Sequence, residues 1–194
     1  MEHWLLNNWI EIVGAITGVL YIYLSVKQHM ALWLIGILSS AFYIVVFFNS
    51  KLYADAGLQT YYLLISGYGW WHWIHGKPEH QVHLNPTFAS IKLLIILLLI
   101  TIVLTGCIAL ILINFTNSDV PWWDAFTSAA SIIATWMLTQ KYIQHWIAWI
   151  FIDIIYVGLY FYKDLYFTII LYVVFTIMAL IGYFEWRKKI ILST

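Results

Sequence analysis

Asp153 is the one acid set deep in an apolar stretch, about nine residues into the run from 144 to 161. A carboxylate in such a place costs at least about 2.5–3.5 kcal/mol on membrane-insertion scales, which makes it a functional candidate by default. At steps of three or four residues along the same helical face stand Trp146, Trp149, Tyr156 and Tyr160. A carboxylate among aromatic faces suits an organic cation, through ion pairing and cation–π attraction. The alternative is an acid held by neighbouring helices for structure alone.

A second polar face, Gln59, Tyr62, Ser66 and Trp70, follows the same spacing in the stretch from 54 to 74. A third, Asp124, Ser128, Ser131, Thr135 and Thr139, lies in the stretch from 122 to 139. Ser and Thr also serve as ordinary small packing residues between helices in lipid. Glu11, Asp55 and Asp124 sit near the starts of apolar stretches, where a carboxylate complements the helix dipole. His72, His75, His80 and His83 with Glu79 form a local tract, but their spacing matches no closed zinc pattern, so no metal site is expected.

The elements that must position these residues follow from composition. Of 194 residues, 63% are hydrophobic and only 9% charged, with a mean hydropathy of +0.86. Soluble domains carry about 25% charged residues, so this chain cannot cover a water-facing surface and is read as an integral membrane protein. Nine basic residues balance nine acidic ones, leaving no footprint for nucleic acid. The start, Met1-Glu2-His3-Trp4, lacks the basic residues of a cleaved signal, so the first apolar run is expected to stay. The lone Cys107 excludes an internal disulfide.

A spanning helix needs about 20 mostly apolar residues. Seven stretches qualify: 9–26, 31–48, 54–74, 91–113, 122–139, 144–161 and 165–185. Pro78, Pro86 and Pro121 all fall in the breaks between them. Strand-like alternation is absent from such long continuous runs, which argues against a barrel. Lys27, Lys77, Lys92, Lys141, Arg187, Lys188 and Lys189 collect on one side, against Lys51 and Lys163 on the other. That asymmetry predicts a cytoplasmic C-terminus and an N-terminus outside. Trp9, Trp33, Trp73, Trp122, Trp123 and Trp186 lie near span ends and suit an interfacial belt.

Sliding the chain by 113 residues aligns its halves without a gap. Trp9 falls on Trp122, Trp33 on Trp146, Tyr43 on Tyr156, Leu52-Tyr53 on Leu165-Tyr166, Gly69 on Gly182, and Trp73 on Trp186. Glu11 falls on Asp124, Ser40 on Asp153 and Gly36 on Trp149, so the halves share a frame while their chemistry differs. The expected architecture is all-α, a single membrane domain over 1–194. It holds a three-helix repeat at 9–74, a linker helix at 91–113 and a second three-helix repeat at 122–187. Because three spans are odd, the linker makes the repeats parallel. This 3+1+3 plan is a transporter design, with the substrate site expected near the midplane between the repeats.

Absences narrow the classes. There is no G-x-x-x-x-G-K-[ST] loop, no H-E-x-x-H, no lysine in the seventh span for a retinal Schiff base, and no pair of deep histidines for haem. No cofactor is called for. A membrane enzyme would need a nucleophile with a base or a metal site, and neither emerges. A seven-helix ligand sensor would need a cytoplasmic docking surface, for which the short loops offer little.

In order along the chain stand Glu11-Ile-Val-Gly14, Phe47-Phe48, Leu52-Tyr53-Ala54, Leu58-Gln59 and Tyr68-Gly69-Trp70. Then come Trp123-Asp124, Thr139-Gln140-Lys141-Tyr142, Trp146, Trp149 and Asp153. This ordered set, with the 113-residue repeat, resembles the PnuC-type vitamin transporters over about residues 9–187. The resemblance implies a SWEET-like fold and facilitated uptake of nicotinamide riboside across a bacterial inner membrane, without ion coupling. It further implies trapping of the vitamin by a cytoplasmic kinase, and a homotrimer. Members that carry nicotinamide riboside favour Asn at the position of Asp153 and near Ser66 and Ile181. Here those places hold an acid, a hydroxyl and an aliphatic, so thiamine, whose thiazolium is also cationic, is the alternative cargo. Trp146, Trp149 and Tyr156 would sandwich the ring, Asp153 would face its charge, and Gln59 and Ser66 would bond its polar end. Tyr62, Trp70 and Thr135 complete the expected lining.

Overall fold

The computed structural model describes residues 2–49, 53–76, 85–116, 118–162 and 166–193. Among them the chain forms seven α-helices: α1 (Glu2–Lys27), α2 (Ala31–Asn49), α3 (Tyr53–His75), α4 (Ile91–Phe115), α5 (Pro121–Thr139), α6 (Gln144–Tyr162) and α7 (Tyr166–Ser193). The segments Ile91–Phe115, Gln144–Tyr162 and Ile169–Ile191 are each long and apolar enough to cross a membrane. Ile16–Lys27 of α1 and Ala31–Val45 of α2 are shorter apolar stretches. Their outward faces are Ile, Leu, Val and Phe, as lipid requires. Two helices run past the lengths expected from hydropathy. α1 begins at Glu2, and α7 continues to Ser193, because the backbone ladder need not stop where the apolar run does.

The chain divides into two compact units, Met1–Leu84 and Asn85–Thr194. In the first, α2 packs on α3 and α1 on α2. In the second, α6 packs on α7, α5 on α6, and α4 on α5. The helix read as a plain linker therefore leans on α5 with Leu97, Thr101 and Ala109, while most of its Ile and Leu remain outward.

The 113-residue register reappears in the backbone. α1 ends on Gln28 in the left-handed region at φ 56°, and α5 is followed by Lys141 at φ 54°. Around Gln28 the bonds are His29 N to Leu24 O (2.9 Å) and Gln28 N to Ser25 O (3.0 Å). Around Lys141 they are Tyr142 N to Met137 O (3.0 Å) and Lys141 N to Leu138 O (3.0 Å). Both are Schellman motifs, which satisfy the last carbonyls of a helix. The same pair of bonds opens each following helix, Leu32 N to His29 O and Trp33 N to Met30 O in one unit, His145 N to Tyr142 O and Trp146 N to Ile143 O in the other.

Each turn delivers a tryptophan into its unit. Trp33 lies over Gly69, where a Cβ would stand 2.5 Å from the indole, and meets Trp73 edge-on at 5.1 Å and 86°. Trp146 lies over Gly182, where a Cβ would stand 2.6 Å away, and meets Trp186 at 5.7 Å and 89°. Trp33 and Trp186 are wholly buried, with Trp73 and Trp146 nearly so. This corrects the interfacial reading of Trp33, Trp73 and Trp186, whose rings are packed inside their own units. Trp122 and Trp123 do lie exposed at the start of α5, and Trp9 lies outside the residues whose side chains are described.

The second unit has one further tie. Thr87 N donates to Lys141 O and Ile143 N donates to Thr87 O, both at 3.0 Å. The Gln144 carboxamide bonds Ala89 N at 3.0 Å and Ala89 O at 3.2 Å. The segment before α4 is thereby strapped to the α5–α6 turn. Lys141 is buried in this turn, and desolvation, with Lys189 adding like charge, pushes its ammonium down to about 7.

Candidate functional site

Asp153 is the central residue of α6, nine positions from either end, or about 14 Å at 1.5 Å per residue. It is 3% exposed, and among the described residues no Lys, Arg or His forms an ion pair with it. A buried carboxylate is ordinarily paired, because isolated charge in a low dielectric is expensive.

Tyr156 and Tyr160 stand one and two turns along α6, stacked at 5.7 Å and 15°. Tyr172 of α7 closes on both, with ring centroids 4.8 Å from Tyr156 and 5.1 Å from Tyr160. The Tyr160 and Tyr172 hydroxyls hydrogen-bond each other, and Asp153 acts electrostatically on Tyr172. From α5, Thr127 and Ser131 hydrogen-bond the Tyr156 hydroxyl. Asp124, in the first turn of α5, accepts a hydrogen bond from Ser118 and acts electrostatically on Tyr156 and Tyr160.

The expected lining residues fall into different roles. Trp149 is half-buried one turn before Asp153 on α6. Trp146 is 2% exposed and wedged over Gly182 beside His145 and Trp186, so its ring is committed to the α6–α7 seam and cannot sandwich a ligand. Thr135 is buried, and its hydroxyl donates to Ser131 O of its own helix at 2.7 Å. In the first unit, Ser66 is buried against Gly36, where a Cβ would stand 2.6 Å from its Oγ. Gln59 and Tyr62 are half-buried, Tyr62 beside Tyr61 at 5.7 Å, and Trp70 is exposed on α3. Sequence reasoning did not find Tyr172. The repeat register held a signal for it, because Tyr172 falls on Gln59.

His72 and His75 stack on Tyr68 and Trp71, each at 5.5 Å. His80, His83 and Glu79 lie outside the described residues, and among the described ones no three His, Cys, Asp or Glu side chains gather around a metal position.

A multi-pass helical membrane protein whose two units repeat the same helix-turn geometry, with a buried mid-helix carboxylate that has no ion pair among the described residues, fits the class of small-molecule transporters. Residues 8–188 match the model of the nicotinamide mononucleotide transporter family, and the chain belongs to that family. It is a vitamin transporter of the PnuC group and not an enzyme. The chain is 24% identical to the nicotinamide riboside transporter PnuC of Escherichia coli, over 92% of this chain and 85% of that one. It is 26% identical to the riboflavin/roseoflavin transporter RibM of Streptomyces davaonensis, over 92% and 84%. The fold matches the crystal structure of the vitamin B3 transporter PnuC with a TM-score of 0.76 at 21% identity, over 96% of this chain and 84% of that one.

Proposed function

We propose that this protein takes up nicotinamide riboside by facilitated diffusion across a bacterial inner membrane. A cytoplasmic kinase would trap the vitamin. The N-terminus lies outside and the C-terminus inside, as the lysine and arginine asymmetry directs. The observation that carries the reading is Asp153, a buried carboxylate at the middle of α6 with no ion-pair partner among the described residues. A pyridinium cation supplies the missing charge, and Trp149 and Tyr156 offer it aromatic faces.

Thiamine remains the alternative, because its thiazolium meets the same demand. The relative that carries riboflavin favours a third cargo, but a neutral isoalloxazine would leave Asp153 unpaired.

The test is uptake of labelled nicotinamide riboside, thiamine and riboflavin by purified protein in liposomes, with Asp153→Ala beside the native chain. Native protein should move nicotinamide riboside, and Asp153→Ala should lose at least about tenfold in uptake, the worth of roughly 1.4 kcal/mol. Full uptake of nicotinamide riboside by Asp153→Ala would overturn the assignment. Uptake of thiamine alone would rename the cargo.

A further inference from the structure

The polar groups of the second unit extend well past Asp153. Tyr156 and Tyr160 rise from it by about 4.5 and about 10.5 Å along α6. Tyr172 joins them from α7, and Thr127, Ser131 and Asp124 from α5. Asp124 is partly exposed, at the end of the unit opposite Lys141. The band thus has a carboxylate at each end and three tyrosine rings between. A role for Asp124 in the dipole of α5 explains its place in the first turn. It does not explain the rings, since phenylalanine would fill the same seam without burying hydroxyls. Nor does it explain why the far end of the band is a carboxylate 97% withdrawn from solvent and left without an ion pair among the described residues.

We infer that Asp124, Tyr160 and Tyr172 form a second recognition station for an organic cation, from which it passes along the tyrosine faces to Asp153. The inference rests on the cationic cargo proposed above and adds the residues that select it before it reaches the midplane. A partly exposed carboxylate beside aromatic faces captures a cation by charge and cation–π attraction together. Such capture is screened by salt, whereas the buried Asp153 is screened much less.

The experiment measures initial rates of nicotinamide riboside and thiamine uptake in proteoliposomes at low and high ionic strength. For Asp124→Asn, KM for the transported cation should rise about tenfold with Vmax retained, and its dependence on salt should flatten. Asp124→Glu should restore both. Tyr160→Leu, on a different helix, carries the same expectation for KM and decides the matter if Asp124→Asn does not reach the membrane. If Asp124→Asn and Tyr160→Leu keep native KM and salt dependence while Asp153→Ala loses uptake, the outer station is wrong and the proposed function stands. If Vmax falls with KM and salt dependence unchanged, the residues are structural and the station is likewise overturned. Native transport of the cation by Asp153→Ala removes the cationic reading itself.

Discussion

Trp146 shows how far one residue's role depends on what lies across from it. Its indole is held by fit alone, since its Nε1 has no hydrogen-bond partner among the described residues, and the same holds for Trp33. The fit requires the bare backbone of Gly182 and Gly69. Gly182→Ala would gain about 1 kcal/mol of helix propensity. It would also drive a methyl into a ring that has no room to retreat, an overpacking worth about 1–3 kcal/mol. Gly158→Ala, with nothing within 4 Å, has the gain without the clash. Thermal unfolding in detergent should therefore show Gly182→Ala below the native chain and Gly158→Ala at or above it. Lys141 gives a second prediction at this scale. Its folded value of about 7 lies below the ordinary 10.4 of a lysine, so the unfolded chain binds the extra proton between these limits. Stability should rise with pH across that window, and Lys141→Met should flatten the rise in a series of melting temperatures.

At the scale of elements, the strap before α4 distinguishes the second unit. Gln144 supplies both a donor and an acceptor to the buried backbone of Ala89. Gln144→Ala strands both groups, and a buried unsatisfied polar group costs about 1–3 kcal/mol. The variant should melt lower, and amide exchange at Thr87, Ala89 and Ile143 should quicken before the rest of the unit. The helices themselves were legible from hydropathy, because each is a long apolar run broken by polar marks or proline. The strap was not, since Ala89 and Gln144 are ordinary residues 55 positions apart whose pairing exists only once α4, α5 and α6 have packed. The two Schellman turns were equally hidden. Gln28 and Lys141 carry no sign of a left-handed residue, for which glycine is the usual choice.

For the whole molecule, the proposed uniport predicts a ceiling. With the membrane potential clamped at zero, labelled nicotinamide riboside should enter empty liposomes only until the two sides are equal, whatever the pH difference. Entrapped kinase and ATP should lift accumulation above that level by consuming the free vitamin. Accumulation in empty vesicles driven by a pH difference while the potential is clamped at zero would refute facilitated diffusion. The lipid solvent, the seven spans, the register of 113 residues and the exceptional place of Asp153 were all determined by the amino-acid sequence. Each depends on hydropathy and spacing along the chain, which do not change when it folds. Tertiary structure alone decided that Trp146 is a wedge while Tyr156 and Tyr172 meet ring to ring across the α6–α7 seam, and that Thr135 turns its hydroxyl to its own backbone. A side chain's freedom to meet a ligand is what remains after its neighbours from other helices have packed, and those neighbours lie far off in sequence.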